Sequence, residues 1–347
     1  MDFFNSLLNF IVPPASMVML AFSWPTLSFI HGLEWLFRSL SKENMEDKVV
    51  LITGASSAIG EQIAYEYAKK KANLVLVARR DHRLRGIREN ARLLGAKTVL
   101  IMAADVVKED ECRRFVGDTI SYFGHLDHLV NTASLGHTFY FDEAHDTSVF
   151  PHLMDINFWG NVYPTCVSLP YLKQSQGRIV VNASVESWMP MPKMSLYAAA
   201  KAAVISFYES LRFEVKDEVG ITIATHGWIG SEMSTGRFML EEGSEMQWKE
   251  EREVSSTASH VEEFAKMIVA GACRGDSYVK YPSWYDTFLL YRVFSPDVLS
   301  WTFRLLFANH GTRKLSHSGT RQPLLEGPPP RKLLTAPPTA VQYQQWG

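Results

Sequence analysis

Hydrophobic and polar positions follow two alternating patterns along the middle of the chain, from about Asp47 to Lys280. Short runs of aliphatic, β-branched residues predict buried strands, and longer stretches with an apolar face predict helices. The predicted strands are Val49–Thr53, Leu74–Ala78, Thr98–Ala103, His128–Asn131, Arg178–Asn182, Ile221–Thr225 and Tyr278–Lys280. The predicted helices lie near Ile59–Lys70, Arg83–Leu94, Glu109–Tyr122, Phe150–Leu172, Leu196–Val215 and Ser259–Ala272. Because strands and helices alternate, the pattern predicts an α/β fold with a doubly wound, parallel, seven-stranded sheet.

The first 40 residues follow neither pattern. Asp, Glu, Lys and Arg are absent from Phe3 to Leu33, a run of 31 residues, which is long enough to span a membrane. The run contains Pro13, Pro14 and Pro25. Proline disfavours helix at and before its position, so we expect short apolar arms, Phe3–Val12 and Ala15–Phe37, with a kink at Pro25. Residues 1–40 are therefore predicted to be a membrane anchor, either a hairpin in one leaflet or a kinked span. A cleaved signal peptide fits less well because no basic segment precedes the run.

The C-terminal part divides into two segments. Residues 281–308 are rich in aromatic side chains and predict helices. They serve either core or subunit packing, or a second lipid-facing segment that covers the substrate. Residues 309–347 are polar and proline-rich, and we expect them to be disordered because they cannot bury enough apolar surface.

Charge and cysteine content exclude several classes of protein. Lys and Arg number 35 against 37 Asp and Glu, which argues against a nucleic-acid-binding protein. Cys112, Cys166 and Cys273 are odd in number and far apart, so neither a disulfide framework nor a CxxC metal site is predicted. The one glycosylation sequon begins at Asn182, at the end of a predicted buried strand, so nothing marks a lumenal domain. We expect the domain to face the cytosol.

A glycine-containing turn leads from the first predicted strand directly into a helix. Its sequence is Thr53-Gly54-Ala55-Ser56-Ser57-Ala58-Ile59-Gly60. Gly54 allows the turn, Gly60 allows close helix packing, and the free N–H groups at the helix start can hold a pyrophosphate. This context is typical of a Rossmann-type dinucleotide-binding domain. The turn residues predicted to contact the cofactor are Gly54, Ser56, Ser57, Ile59 and Gly60.

The end of the second predicted strand indicates which dinucleotide binds. Ala78 stands where NAD-preferring enzymes usually have an acid, and Arg79 and Arg80 follow it. Arginine accommodates the 2′-phosphate, so NADP(H) is the predicted cofactor, with Arg79 and Arg80 as predicted contacts. A solvated loop charge is the alternative explanation, and it is more reasonable for Arg80 than for Arg79. Asp105, followed by Val106, comes after the third strand and is placed to contact the adenine amine.

A tyrosine and a lysine four positions apart begin an alanine-rich helix. This spacing places Tyr197 and Lys201 on one helix face, one turn apart. An ammonium beside a phenol favours the phenolate, which makes Tyr197 a candidate acid and base for a carbonyl–alcohol pair. Ser184 ends a predicted strand, where its hydroxyl can donate to the same substrate oxygen. Asn157, in the preceding predicted helix, is expected to hold a water that links Lys201 to solvent.

With these motifs, about two-thirds of the chain resembles the short-chain dehydrogenase/reductase family. The proline-interrupted N-terminus makes it similar to the plant steroleosins, the 11-beta-hydroxysteroid dehydrogenase-like proteins of seed oil bodies, with Pro13 and Pro25 matching their proline knob. The resemblance implies the catalytic tetrad Asn157, Ser184, Tyr197 and Lys201. Tyr197 and Lys201 are also expected to contact the cofactor, with Lys201 holding the nicotinamide ribose. It also implies NADP(H)-dependent interconversion of a hydroxyl and a ketone on a lipophilic, sterol-like substrate. An oil-body or endoplasmic reticulum membrane location and a homodimer are implied as well.

Several positions depart from the family pattern. They are Ala58 in the glycine turn, Thr132 and Ser134 after Asn131, and His226 before Gly227. A methyl group at Ala58 is expected to crowd the pyrophosphate. Asn131 and Ser231 remain as expected cofactor contacts. The departures motivate an alternative, a weakly active or inactive sterol-binding protein of the oil-body surface. A reductase of fatty or terpenoid carbonyls is a third hypothesis.

Overall fold

In the computed structural model, seven parallel strands form one sheet, as the sequence predicts. The structure describes residues 2–40, 42–137, 141, 147, 149–189, 191–227, 238–242, 245–248 and 258–308. The strands of the sheet are β1 (Val49–Thr53), β2 (Asn73–Ala78), β3 (Val99–Ala103), β4 (His128–Asn131), β6 (Arg178–Ser184), β7 (Gly220–His226) and β10 (Tyr278–Tyr281). Their order is β10-β7-β6-β4-β1-β2-β3, which is the doubly wound Rossmann-type arrangement. The predicted tail at 309–347 and Ser231 lie outside the described residues.

Helices cover both faces of the sheet. They are α2 (Ala58–Ala68), α3 (Asp81–Leu93), α4 (Glu109–Phe123), α5 (Val149–Met154), α6 (Gly160–Ser175), α7 (Ser195–Val215) and α8 (Ala258–Arg274). Residues of α2, α3 and α8 share one buried cluster with Leu74 and Leu76, whereas residues of α4, α6 and α7 share the other with Val75 and Val77. Successive strand residues thus face opposite layers, which is why the strands are predominantly apolar on both faces.

Two local features differ from the predicted pattern. The helix expected over Phe150–Leu172 is interrupted by a π-helical turn at Asp155–Trp159. Asn157 Nδ2 donates to the Leu153 carbonyl oxygen at 2.9 Å, so a side-chain amide engages a helical carbonyl. A second, three-stranded sheet of β5 (Gly136–His137), β8 (Phe238–Glu242) and β9 (Glu245–Trp248) was not predicted, because β5 has only two residues and the other strands are rich in charge.

The N-terminal segment forms one helix, α1 (Asp2–Leu40), so the prediction of short separate arms is wrong. Proline fixes φ near the helical value, and each proline removes one backbone donor while the neighbouring turns remain helical. The segment Phe10–Glu34 is long and apolar enough to cross a membrane, and no part of its most apolar stretch is buried in the structure. Phe10 is 81% exposed and Trp24 60%. Such a surface is unusual for a soluble domain and is the feature expected of an anchor.

The segment after α1 joins the sheet at the end where the strands begin. Glu43 N donates to the Cys273 carbonyl oxygen at 2.8 Å, and the Glu43 carboxylate contacts His128 Nε2 at 3.1 Å. The buried Tyr67 hydroxyl contacts His128 Nδ1 at 2.9 Å. Partial burial acts to raise the pKa of Glu43, but the hydrogen bond and charge of His128 and the charge of Lys48 outweigh it, so the pKa is lowered. These contacts fix the segment that follows α1 to the domain.

The aromatic C-terminal segment is helical, as predicted. A 3₁₀ turn at Ser283–Tyr285 precedes α9 (Asp286–Phe294) and α10 (Pro296–Ala308). Large apolar side chains are exposed here, among them Trp284, Phe294 and Trp301. The Arg292 guanidinium donates to the carbonyl oxygen of Trp188, which ties α9 to the turn after β6. Residues 1–302 form one compact unit, and a second unit begins at Phe303.

Candidate active site

The turn after β1 is built for close contact with a ligand backbone. Gly54 has φ +65°, and a Cβ there would lie 2.6 Å from the Ala133 nitrogen, so only glycine fits. A Cβ at Gly60 would lie 2.5 Å from the Gly54 carbonyl oxygen. Ser57 caps α2 by accepting from Gly60 N at 3.1 Å. The N–H groups of Ala58 and Ile59 lie in the first turn of α2, where the helix has no carbonyl to accept them. These features fit the pyrophosphate of a dinucleotide.

A groove runs from this turn along the end of the sheet where the strands finish. It is lined by Gly54, Ser56, Ser57, Ala78, Arg79, Ala104, Asp105, Val106, Thr132, Ala133, Ser134 and Ile156. Six of the residues predicted to bind the cofactor belong to this lining: Gly54, Ser56, Ser57, Arg79, Asp105 and Val106. Sequence reasoning missed Ala78, Ala104, Ala133 and Ile156 as contacts, since small apolar side chains carry no chemical signal.

Four other predicted cofactor residues support the groove and are not part of its lining. Ile59 is buried in the core, and Gly60 packs against the turn. The Arg80 guanidinium donates to the Ser56 carbonyl oxygen at 2.7 Å, so Arg80 is held by the glycine turn and the alternative of a solvated charge does not apply to it. Asn131 is the fourth, and its amide points into the opposite layer.

The Asn131 amide is the centre of a buried hydrogen-bond network. It accepts from the Thr53 hydroxyl at 3.1 Å and donates to the Asn161 carbonyl oxygen, the Thr165 hydroxyl and the Tyr208 hydroxyl at 3.2, 3.0 and 3.0 Å. Burial raises the pKa of the Tyr208 phenol, which keeps it a neutral hydrogen-bonding group. The Asn131 side chain therefore joins β4 to α6 and α7, and a contact between this residue and the cofactor remains a prediction.

The proposed catalytic residues lie at the same end of the sheet. Tyr197 and Lys201 are one turn apart on α7, and both are buried, Lys201 completely. The Lys201 ammonium donates to the Asn182 carbonyl oxygen at 3.0 Å and lies 5.7 Å from the centroid of the Tyr197 ring. Ser184 ends β6 and is buried, and its hydroxyl lies 3.5 Å from the His226 carbonyl oxygen. The phenol, the ammonium and the hydroxyl are thus all buried at this end of the sheet.

Asn157 holds the loop that borders the groove. Its amide nitrogen donates to the Leu135 and Leu153 carbonyl oxygens at 2.7 and 2.9 Å, and its amide oxygen accepts from Leu135 N and the Ser134 hydroxyl at 3.0 Å each. Both the nitrogen and the oxygen of the Asn157 amide are therefore engaged in hydrogen bonds within the protein. Its role as a holder of water remains a prediction, and its contacts make it a positioning residue.

The fold accommodates the departures from the family pattern. The Ala58 side chain packs against the core and does not line the groove, so the expectation that it crowds the pyrophosphate is corrected. The Thr132 hydroxyl donates to the Thr53 carbonyl oxygen at 2.7 Å, and the Ser134 hydroxyl donates to Asn157. His226 packs edge-on against Phe264, with 5.5 Å between ring centroids. Each substituted side chain has a place in the fold, which weakens the motive for an inactive protein.

One residue of the site was missed altogether. Glu186 is buried in the 3₁₀ turn Val185–Ser187, and the Ser184 hydroxyl donates to its carboxylate. The only signal in the sequence is an acid two residues after a candidate catalytic serine, and this spacing alone does not show that the acid is buried against the serine.

Comparisons with known proteins agree with this geometry. A family model described as short chain dehydrogenase matches residues 48–240. The chain belongs to this family and is an oxidoreductase that uses a nicotinamide cofactor. It is 73% identical over 333 residues to an 11-beta-hydroxysteroid dehydrogenase B of Sesamum indicum, covering 96% of this chain and 92% of the relative. An 11-beta-hydroxysteroid dehydrogenase-like 5 of Arabidopsis thaliana is 66% identical over 343 residues, covering 95% and 88%.

A solved structure shares the fold. The alcohol dehydrogenase from the archaeon Thermococcus sibiricus, complexed with 5-hydroxy-NADP, superposes with a TM-score of 0.55 at 23% identity. The match covers 69% of this chain and 98% of the archaeal chain. This likeness supports the assignment of a Rossmann-type fold.

Proposed function

We propose that the protein is an NADP(H)-dependent hydroxysteroid dehydrogenase that interconverts a hydroxyl and a ketone on a lipophilic, sterol-like substrate. The observation that carries the proposal is the buried group of Tyr197, Lys201 and Ser184 at the end of the sheet that also bears the groove. The names of the plant relatives support the choice of substrate class.

The residues of this chain have distinct roles in the reaction. When bound, the nicotinamide supplies the hydride to the carbonyl carbon or takes it from the carbinol carbon. Tyr197 donates its phenolic proton to the carbonyl oxygen in reduction and accepts the hydroxyl proton in oxidation. The Lys201 ammonium stabilises the phenolate that reduction leaves on Tyr197, while its bond to the Asn182 carbonyl fixes its position. Ser184 donates a hydrogen bond to the oxygen on which negative charge develops.

The preference for NADP(H) rests on the end of β2. Arg79 lines the groove there, directly after Ala78, and the acid that would bind both ribose hydroxyls of NAD is absent from these positions. Replacement of Arg79 by Asp should shift the ratio of kcat/KM for NADP(H) over NAD(H) towards NAD(H) by at least about tenfold. The measurement is cofactor-dependent turnover with both cofactors. An unchanged NADP(H) preference would show that another residue reads the phosphate.

The proposed location of the enzyme rests on α1. Its exposed apolar surface anchors the chain to an oil body or to the endoplasmic reticulum, with the catalytic domain in the cytosol. Substrates that dissolve in lipid then reach the active site from the surface to which the enzyme is bound. This supply favours sterol-like molecules over small, water-soluble alcohols.

A further inference from the structure

The turn after β6 places a buried acid beside the serine that contacts the substrate oxygen. Glu186 is 5% exposed, and Ser184 donates its hydroxyl hydrogen to Glu186 Oε2. Among the residues that the structure describes, Ser184 is the only donor to this carboxylate. A carboxylate has about four lone-pair positions, and one neutral donor replaces little of the hydration lost on burial. The carboxylate therefore has the capacity for a further donor.

The hydrogen on Ser184 can serve only one acceptor at a time. A hydroxyl carries a single hydrogen, and in the structure the Glu186 carboxylate is its nearest acceptor, with the His226 carbonyl oxygen farther away at 3.5 Å. A ketone oxygen bound at the active site needs the same hydrogen. Because a carboxylate is a stronger acceptor than a neutral carbonyl, a simple ketone competes poorly with Glu186 for Ser184.

We propose that Glu186 selects substrates with a hydroxyl on the carbon next to the reacting centre, namely α-hydroxy ketones and vicinal diols. This inference rests on the proposed function. The neighbouring hydroxyl donates to Glu186 in place of Ser184, and Ser184 turns its hydrogen towards the reacting oxygen. The carboxylate keeps a donor throughout, while the reacting oxygen gains one.

The geometry limits where this hydroxyl can be. The reacting oxygen lies one hydrogen bond from Ser184 Oγ, and Glu186 Oε2 lies one hydrogen bond from the same atom. The two positions are therefore at most about 5.5 Å apart. A hydroxyl on the adjacent carbon falls between them, whereas a hydroxyl on the far side of a rigid ring system does not reach Glu186.

Matched substrate pairs test the inference. We would measure NADPH-dependent reduction by the full chain in detergent, comparing 5α-androstan-3-one with its 2-hydroxy derivative and cyclohexanone with 2-hydroxycyclohexanone. Glu186→Gln keeps the side-chain shape but removes the charge. Ser187→Ala is the control, because Ser187 lies in the same turn and its hydroxyl donates to the Ser184 carbonyl oxygen at 2.6 Å.

The wild type should prefer each hydroxy ketone by about tenfold in kcat/KM, and Glu186→Gln should reduce that preference to about twofold or less. The variant should gain on the simple ketones, mainly through a lower KM, and Ser187→Ala should keep the wild-type preference. An equal preference in the wild type and Glu186→Gln would overturn the proposal. A loss of preference in Ser187→Ala as well would assign the effect to the shape of the turn, and would also overturn it.

A binding measurement separates this inference from the proposed function. Calorimetric titration of the NADP⁺-loaded protein with the same ketones requires no turnover. Tighter binding of the hydroxy ketones by the wild type, lost in Glu186→Gln, supports the role of Glu186 even where no ketone is reduced. Equal binding of both members of each pair to the wild type overturns that role, whatever the turnover. Failure of reduction alone counts only against the proposed function.

Discussion

Replacement of Asn131 by alanine tests whether this residue serves the fold or the cofactor. The side chain is fully buried and takes part in four hydrogen bonds. Its neighbours keep other partners: Thr165 and Tyr208 lie 2.7 Å apart, and each donates to the Asn161 carbonyl oxygen. The cost is therefore smaller than four lost hydrogen bonds. We expect about 2–4 kcal/mol of lost stability, from partly unsatisfied groups and the cavity left behind.

Thermal unfolding of the full chain in detergent measures this effect. For a domain of this size, the expected loss corresponds to a fall in Tm of roughly 5–15 °C. The affinity of the folded variant for NADPH, measured by fluorescence titration, should change less than about threefold, because the amide does not line the groove. Asn90→Ala is a control for the same substitution at an exposed position, where the side-chain amide donates to the Tyr65 hydroxyl at 3.0 Å. Unchanged stability together with a large loss of NADPH affinity would refute this reasoning.

Two further predictions concern the anchor and its junction with the domain. The lowered pKa of Glu43 means that its ionised form stabilises the fold, so this contribution is complete above the usual value of 4.5 and is lost as pH falls through the folded pKa. Glu43→Gln should cost about 1 kcal/mol of unfolding free energy at pH 7, a small value because the group is partly exposed. The difference in unfolding free energy between the wild type and the variant should shrink as pH falls below 4.5, and a difference that grows over that range would contradict this. Deletion of residues 2–40 should move the protein from the membrane to the soluble fraction, and continued flotation with lipid would implicate the exposed aromatic residues of α9 and α10.

Much of the fold could be predicted because its signals are local. The strands of the sheet are continuous apolar runs, and the strand, turn and helix around Gly54 are contiguous in sequence. Tyr197 and Lys201 could be paired because helical periodicity alone brings them together. The continuity of α1 could not be predicted. Each proline indicates that one backbone hydrogen-bond donor is missing, but the sequence does not show whether the turns on either side of it stay helical.

The functions of individual polar residues were harder to predict. Asn131 and Thr132 are adjacent, yet their side chains face opposite layers, so only one lines the groove. Arg79 and Arg80 are likewise adjacent, and the structure shows that Arg80 fastens the glycine turn through Ser56. The role of Glu186 could not be predicted from the sequence, because it depends on the bend that brings the carboxylate back to Ser184. These assignments require distances that sequence spacing does not contain.

The most direct measurement of the central claim compares the wild type with Tyr197→Phe in NADP⁺-dependent oxidation of a panel of hydroxysteroids. The Tyr197 side chain is buried beside Lys201. The variant removes only its hydroxyl group and keeps the aromatic ring in place. We predict that the wild type oxidises at least one member of the panel, and that the variant loses at least about a hundredfold in kcat while its NADPH affinity is retained. Equal rates in the two proteins, or cofactor binding by the wild type without turnover of any substrate, would contradict the account.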